Sequence, residues 1–296
     1  MTIKKVIICG LGALGLTYAN KLKNICELKV LVDEKRLEKF IKNPPIFNDI
    51  ILGLDYILPS QNFEADLIII TTKSKGLDTA IEYMKNFVGE KTKIMSLING
   101  ISSEEKIASV YGKEKVVRSY FIGHSAMSKN DNGRIRYMQD GVGKIVLEPN
   151  FDIESFFKKN KIDYEVSDSI EASMWIKLGV NIVLNQLSAI YEMNVGDLRK
   201  QEDFLSIAKS LLCEVKQVAN AYGVFGLENY EQRVLDETYL IASDGKTSML
   251  QDILAKKKTE VDIFSGEIVR LGRIYGIATP HNEEIYNKIK TKEEGF

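Results

Sequence analysis

Apolar residues in this chain fall in short continuous runs through the first half and at helical spacing through the second. Val6-Ile7-Ile8-Cys9, Leu28 to Val32, Leu67-Ile68-Ile69-Ile70-Thr71 and Ile94 to Ile98 are runs of the first kind. Such runs belong to strands covered on both faces. Val116 to Phe121 and Ile145 to Leu147 continue the series, and helical stretches at Leu77 to Phe87 and Glu104 to Tyr111 separate several of them. The alternation predicts a mostly parallel, doubly wound sheet. Gly133 to Tyr137 and Gly143 to Leu147, joined through Asp140-Gly141, predict a late hairpin. From Ser169 onward the strand signal all but disappears, and Asp168 with Glu171 resembles an N-terminal capping pair. The pattern therefore predicts a Rossmann-type α/β domain over residues 1–167, followed by an all-helical domain over 168–296.

The sharpest local feature is Gly10-Leu11-Gly12-Ala13-Leu14-Gly15, directly behind the first apolar run. Glycine triplets alone are weak signals. One that follows a strand and opens a helix has a physical task. Gly10 permits a tight turn, Gly12 leaves room for a pyrophosphate at the backbone, and Gly15 lets the helix lie close to the strand. The free N–H groups and dipole of the helix start then favour phosphate. The bland alternative is an ordinary glycine-rich strand-to-helix turn, and the context favours dinucleotide binding.

Bulk composition removes other classes. With 296 residues, 45% apolar and 27% charged, the chain reads as a soluble globular enzyme of about two domains. A net charge of -1 gives no basic field for nucleic acid or an anionic membrane. Cys9, Cys26 and Cys213 are scattered and form no metal-ligand or disulfide spacing, which fits a reducing cytoplasm and no metal site. No apolar run approaches the ~20 residues of a membrane span. The expected partner is a small molecule.

In the second half, Lys177, Asn181 and Asn185 recur every four residues among strongly apolar neighbours. On a helix they share one face, with a slow drift. A lysine and two amides on a buried helix need partners or a wet cleft. Here the sequence resembles the ketopantoate reductase family over essentially its whole length. The likeness rests on Gly10 to Gly15, Thr72-Lys73, Asn99-Gly100 and Trp175-x-Lys177-Leu178-x-x-Asn181. It also rests on Ser248-Met249-Leu250-Gln251-Asp252, Thr259-Glu260-Val261-Asp262 and Gly276-Ile277-Ala278-Thr279-Pro280-x-Asn282.

The resemblance implies reduction of 2-dehydropantoate to pantoate in coenzyme A synthesis. It makes Lys177 the general acid and Glu260 the carboxylate that orients it; read locally, Thr259 can cap a helix that begins there, with Glu260 in its first turn. It implies that Asn99 and Asn181 surround the ketone and nicotinamide, that Asn185 contacts substrate, and that Ser248 binds the substrate carboxylate. Gly10, Leu11, Gly12, Ala13, Leu14, Gly15, Asp33, Lys73 and Asn99 would hold the cofactor. Two positions depart from the family. Gly245 stands where an asparagine often contacts a substrate hydroxyl, which leaves another 2-oxo acid as the alternative substrate. Asp33 stands where an arginine often binds the NADP 2′-phosphate, and an acid there suits the free ribose of NAD. NADP(H) is narrowly the expected cofactor and NAD(H) the alternative. A dinucleotide-binding regulator without turnover is the other class, and Lys177 with Glu260 argues against it. A homodimer is compatible with the sequence. A histidine mechanism would have to use His124 or His281, which read as packing and surface residues.

Overall fold

The structure is a computed structural model that describes residues 2–123, 127–131, 134–138 and 143–296. It divides into two compact units, Met1–Ile170 and Glu171–Phe296. The first unit holds strands β1 (Lys5–Cys9), β2 (Glu27–Leu31), β3 (Ile46–Phe47), β4 (Ile50–Ile51), β5 (Tyr56–Ile57), β6 (Ala65–Ile70), β7 (Val88–Ser96), β8 (Val116–Val117), β9 (Ser119–Gly123), β10 (Met127–Asp131), β11 (Arg134–Met138), β12 (Gly143–Leu147) and β13 (Tyr164–Val166). Its helices are α1 (Ala13–Leu22), α2 (Glu34–Lys42), α3 (Leu77–Tyr83), α4 (Ser103–Tyr111) and α5 (Phe151–Lys159).

The main sheet has the order β5-β2-β1-β6-β7-β8, and every pairing in it is parallel. This is the doubly wound sheet predicted from the apolar runs. Val6, Ile7 and Ile8 in β1 and Leu67 to Ile70 in β6 are fully buried, which is why their runs show no alternation. On one face Tyr18, Ala19 and Leu22 of α1 join Ile153 and Phe157 of α5 in a single core with the strands.

Two expectations about the later strands change. The run Val116 to Phe121 breaks at Arg118, so β8 closes the main sheet while β9 belongs to a separate sheet ordered β13-β12-β9. The predicted hairpin does not form. β11 pairs antiparallel with β10, which precedes it, and parallel with β3; β12 pairs with β9 and β13. Asp140-Gly141 lies outside the described residues. The two strands serve different cores: Ile145 and Leu147 of β12 pack with Ile153 and Phe157, whereas Tyr137 of β11 packs with Leu16, Phe47 and Leu52. Sequence adjacency offered a neighbour, but apolar burial selected a different one.

The second unit continues from α6 (Ile170–Val180), which begins two residues past Asp168. A wide π-type turn (Asn181–Gln186) and α7 (Leu187–Tyr191) extend the same helix. Then come α8 (Val195–Arg199), α9 (Phe204–Tyr222), α10 (Tyr230–Leu240), α11 (Ser248–Leu254), α12 (Ser265–Tyr275) and α13 (Pro280–Glu294). No described strand occurs in this unit, in agreement with the predicted helical domain. α9, the longest, packs against α10, α12, α13 and the π-type turn. Among the described residues no helix is long and apolar enough to cross a membrane.

The packing predicts how the thiols react. Burial pushes the Cys9 thiol up to about 12 and the Cys26 thiol up to about 11, while Cys213 is exposed. The thiolate is the nucleophile. At pH 8 an aromatic disulfide reagent should therefore label Cys213 quickly in native protein and Cys9 only after denaturation, as read by mass spectrometry of peptides. Rapid native labelling of Cys9 would contradict the closed packing around β1.

Candidate functional site

In the first unit the candidate residues gather beyond the carboxyl ends of adjacent strands. β1 is followed by β2 on one side, whereas β6 lies on its other side and leads to β7. The chain therefore leaves β1 and β6 in opposite directions, and open α/β sheets bind ligands at such a reversal. Gly10 follows β1 with φ of +104°, and a Cβ there would lie 2.8 Å from Thr72 N. A Cβ on Gly15 would lie 1.9 Å from the Gly10 carbonyl oxygen. Both positions are closed to a side chain by the protein itself. Gly12 differs, because a Cβ there would meet nothing within 4 Å. Gly12 is also the residue before α1, whose first turn has no side-chain cap. Free N–H groups facing open space, with no side chain between, suit an anionic pyrophosphate. Leu11, Ala13 and Leu14 complete the turn and are partly buried.

Thr71 fixes this turn, a role the sequence pattern did not single out. Its hydroxyl donates to the Gly10 carbonyl at 2.7 Å, and its N–H donates to the Cys9 carbonyl at 2.8 Å. The side chain thus ties the end of β6 to the glycine turn. Lys73 follows, exposed, at the start of a short 3₁₀ turn (Ser74–Gly76). Asn99 is half-buried beyond β7 and precedes Gly100, which has φ of +95°.

Asp33 caps α2. Its Oδ1 accepts the Arg36 N–H at 2.7 Å, and its Oδ2 lies 3.6 Å from the Arg36 guanidinium. Both carboxylate oxygens are thus turned toward Arg36, which offsets part of their charge. The pair is partly exposed, so the offset is modest.

In the second unit one helix carries the polar stripe. Gly179 lies on the face roughly opposite Lys177, where a Cβ would be 2.5 Å from the Tyr230 hydroxyl and 2.8 Å from Val234 Cγ2. Tyr230 donates to the Trp175 carbonyl at 2.9 Å from that side. The glycine lets α10 approach closely. Lys177 and Asn181 are half-buried, and Asn185 is buried. Asn185 Nδ2 donates to Asn181 Oδ1 at 2.9 Å, which turns the Asn181 NH₂ away from Asn185. That Nδ2 is buried and has no hydrogen-bond partner among the described residues. A buried donor in this state costs about 1–3 kcal/mol. A ligand oxygen would remove the cost.

The sequence spacing predicted a slowly drifting stripe. The π-type turn corrects it. Four residues overshoot an α-helical turn of about 3.6 residues and fall short of a turn closed i→i+5. The drift from Lys177 to Asn181 is therefore reversed between Asn181 and Asn185, and the stripe is straighter than a plain helix would make it.

Ser248 is the exposed first residue of α11, and Thr247 is the cap. The Thr247 hydroxyl accepts the Leu250 N–H at 3.2 Å and contacts the Ser188 hydroxyl at 2.6 Å. α11 packs against the π-type turn and α7, so Ser248 belongs to a helix seated on the amide pair's turn. Glu260 is half-buried before a single 3₁₀ turn (Val261–Ile263), and α12 begins only at Ser265. The expected helix at Thr259 starts later: Glu260, not Thr259, is the residue before the 3₁₀ turn, although the Thr259 hydroxyl oxygen still accepts the Val261 N–H at 3.2 Å. The Thr259 hydroxyl and N–H both donate to the buried Glu293 Oε1 at 2.6 Å, which anchors this segment to α13. His281 has an exposed ring whose Nδ1 lies 2.7 Å from Glu214 Oε1. His124 lies outside the described residues.

Comparison with known proteins agrees in both units. Residues 6–150 match the family model described as "Ketopantoate reductase PanE/ApbA", and residues 169–293 match "Ketopantoate reductase PanE/ApbA C terminal". A curated 2-dehydropantoate 2-reductase of Aquifex aeolicus is 28% identical over 98% of this chain and 97% of its own length. Among solved structures, a PanE/ApbA family ketopantoate reductase from Ralstonia eutropha JMP134 has a TM-score of 0.83 at 23% identity, covering 98% of this chain and 99% of that one. A D-mandelate dehydrogenase in complex with NADH has a TM-score of 0.87 at 21% identity, with the same coverage.

The glycine geometry makes a prediction that needs no ligand. Gly15→Ala should lower unfolding free energy by about 2–4 kcal/mol, because its Cβ meets backbone. Gly12→Ala should cost no more than about 1 kcal/mol, the loss of a favourable helix cap without any steric clash. Urea unfolding followed by circular dichroism measures both, and equal losses would contradict the open space at Gly12.

Proposed function

Because the chain belongs to the ketopantoate reductase family, we propose that it is an NAD(P)-dependent oxidoreductase that reduces 2-dehydropantoate to pantoate. The observation that carries the proposal is the amide pair Asn181–Asn185. It leaves one buried N–H donor unsatisfied, on the same helical stripe as Lys177. A 2-oxo acid offers the carbonyl and carboxylate oxygens such a donor lacks.

The chemistry assigned to the chain's residues follows from charge. A reduced nicotinamide, when bound, supplies the hydride that converts the ketone carbon to a carbinol. Negative charge then develops on the ketone oxygen. The Lys177 ammonium stabilises that charge and donates the proton that completes the alcohol. Glu260 is assigned as the carboxylate that orients Lys177. Asn181 donates to a substrate oxygen, Asn185 fixes the Asn181 amide, and Ser248 with its helix receives the substrate carboxylate. Asn99 is assigned to the nicotinamide end of the first unit's site. The uncapped start of α1 and the open space at Gly12 fit a dinucleotide pyrophosphate.

NADP(H) is the favoured form. Asp33 faces Arg36 through both oxygens, which weakens its repulsion of a 2′-phosphate, and Lys73 is exposed beyond β6. Gly245 supplies no side-chain amide, so the substrate hydroxyl must find another donor or water. Purified protein with 2-dehydropantoate, followed for NADPH and NADH oxidation separately, tests the whole reading. Faster turnover of a 2-oxo acid lacking that hydroxyl would replace the substrate assignment and keep the reaction class.

Lys177→Ala should lower kcat by about 10²–10⁴-fold while dinucleotide affinity stays nearly unchanged. Glu260→Ala should also impair turnover, and the double variant should be far from additive because the two act as a unit. Additive losses in the cycle would separate Glu260 from Lys177.

Asp33→Asn keeps the helix cap and removes the charge. Because the carboxylate is turned toward Arg36, the ratio of kcat/KM for NADPH over NADH should rise by less than the ~1–2 kcal/mol of an unpaired carboxylate facing the ribose. An unchanged ratio would mean that the Arg36 pairing already removes Asp33 from cofactor choice.

A further inference from the structure

Behind the amide pair lies a chain of buried polar side chains that none of the roles above uses. Gln186, the last residue of the π-type turn, is fully buried. Its Nε2 donates to the Ile182 carbonyl at 3.1 Å and to Ser265 Oγ at 2.7 Å, and its Oε1 accepts the Ser265 N–H at 3.1 Å. Ser265, also fully buried, passes its hydroxyl hydrogen to Asn282 Oδ1 at 2.8 Å. Asn282 Nδ2 donates to Glu214 Oε2 at 2.8 Å and to the Leu211 carbonyl at 3.2 Å. Glu214 in turn accepts the N–H groups of His281 at 2.8 Å and Asn282 at 2.9 Å, the first turn of α13.

Each link has one direction. The Gln186 atom that meets Ser265 Oγ is Nε2, which can only donate. Ser265 must then donate onward, and Asn282 must offer its oxygen. Donation runs outward from Gln186 Nε2, through Ser265 and Asn282 to the Glu214 side chain on α9, and separately to the Ile182 carbonyl inside the turn. At that point the backbone returns to ordinary spacing, with Leu187 N–H on the Val183 carbonyl. The Gln186 side chain thus clamps the segment whose width reverses the drift of Asn181 and Asn185.

We infer that Gln186, Ser265 and Asn282 are positioning residues, which hold the π-type turn so that the Asn181–Asn185 amide pair is presented to the 2-oxo acid. This rests on the proposed function for the ligand, but the geometry does not depend on it. Nothing in apolar packing requires three uncharged polar side chains in sequence at this depth. A purely supportive core would be served by apolar residues of the same volume.

Ser265→Ala tests the relay at its middle. It removes the hydroxyl, keeps the backbone donor to Gln186 Oε1 and changes little volume. Ile289→Val, a truncation of a fully buried α13 residue outside the relay, is the stability control. At 25 °C, Ser265→Ala should lower kcat/KM for 2-dehydropantoate by about 10–100-fold, the scale of a misplacement near 1 Å. Dinucleotide affinity by calorimetry should stay within about twofold. The control should shift Tm alone. The side-chain amide resonances of Asn181 and Asn185 should move in Ser265→Ala and stay in place in Ile289→Val. If wild-type protein reduces no 2-oxo acid, the functional reading fails, while shifted amide resonances still uphold the positioning role. Unshifted resonances, or a kinetic loss no larger than the control's, would overturn it.

Discussion

Everything in the helical unit depends on one constraint: a polar atom taken out of water must be given a partner. Burying an amide or hydroxyl without one costs one to three times what a satisfied hydrogen bond contributes net, about 1–3 against about 1 kcal/mol. Gln186, Ser265 and Asn282 meet the constraint by bonding one another, with Glu214 closing the far end on the first turn of α13. That end is well chosen physically. Helix N-termini present unpaired N–H groups and positive dipole potential, and a carboxylate answers both. Glu293 performs a similar service near the other end of α13, where it holds Thr259. Two buried carboxylates thereby tie α13 to α9 and to the segment carrying Glu260.

In this largely satisfied background two buried side-chain nitrogens of the unit lack a partner among the described residues, Arg199 Nε and Asn181 Nδ2, and the second lies on the Lys177 stripe. The neighbouring Asn185 is spent on orienting the Asn181 amide. Structures tolerate such an atom where a ligand completes it. The first unit shows the same contrast among its glycines. Gly10 and Gly15 are forced by backbone contacts, whereas Gly12 faces open space and gains nothing from the protein for lacking a side chain. In both units the functional candidate is the residue whose character internal packing leaves unexplained.

The π-type turn connects these observations to chemistry. Wide turns are rare and cost regular hydrogen bonding, and they recur at functional sites. Here the turn changes which way Asn185 points relative to Lys177, and the Gln186 side chain repairs the backbone where the turn ends. The arrangement places a cation and two amides in line on one helix, beside α11 with Ser248. Gly179 allows this helix to be pressed against α10 from the other side, so the stripe has a rigid backing.

The sequence by itself determined the parallel sheet, the helical second half, the glycine turn and the stripe of Lys177, Asn181 and Asn185. These are local signals, since hydrophobic periodicity and glycine placement act over a few residues. The residues of the proposed site were legible as candidates for the same reason, through short motifs. The tertiary structure decided what depends on distant neighbours. β12 took β9 and β13 as partners instead of β11, because its apolar residues and those of β11 belong to different cores. Thr259 donates its hydroxyl to Glu293, 34 residues away, while its oxygen accepts the Val261 N–H, a dual role that no local motif announces. Asp33 was legible as an acid after a strand, but only the fold turned both of its oxygens toward Arg36. Gln186, Ser265 and Asn282 carry no mutual spacing that could announce a network. Their bonds span 79 and 17 residues, and a hydrogen-bond chain exists only once the helices that carry it are packed.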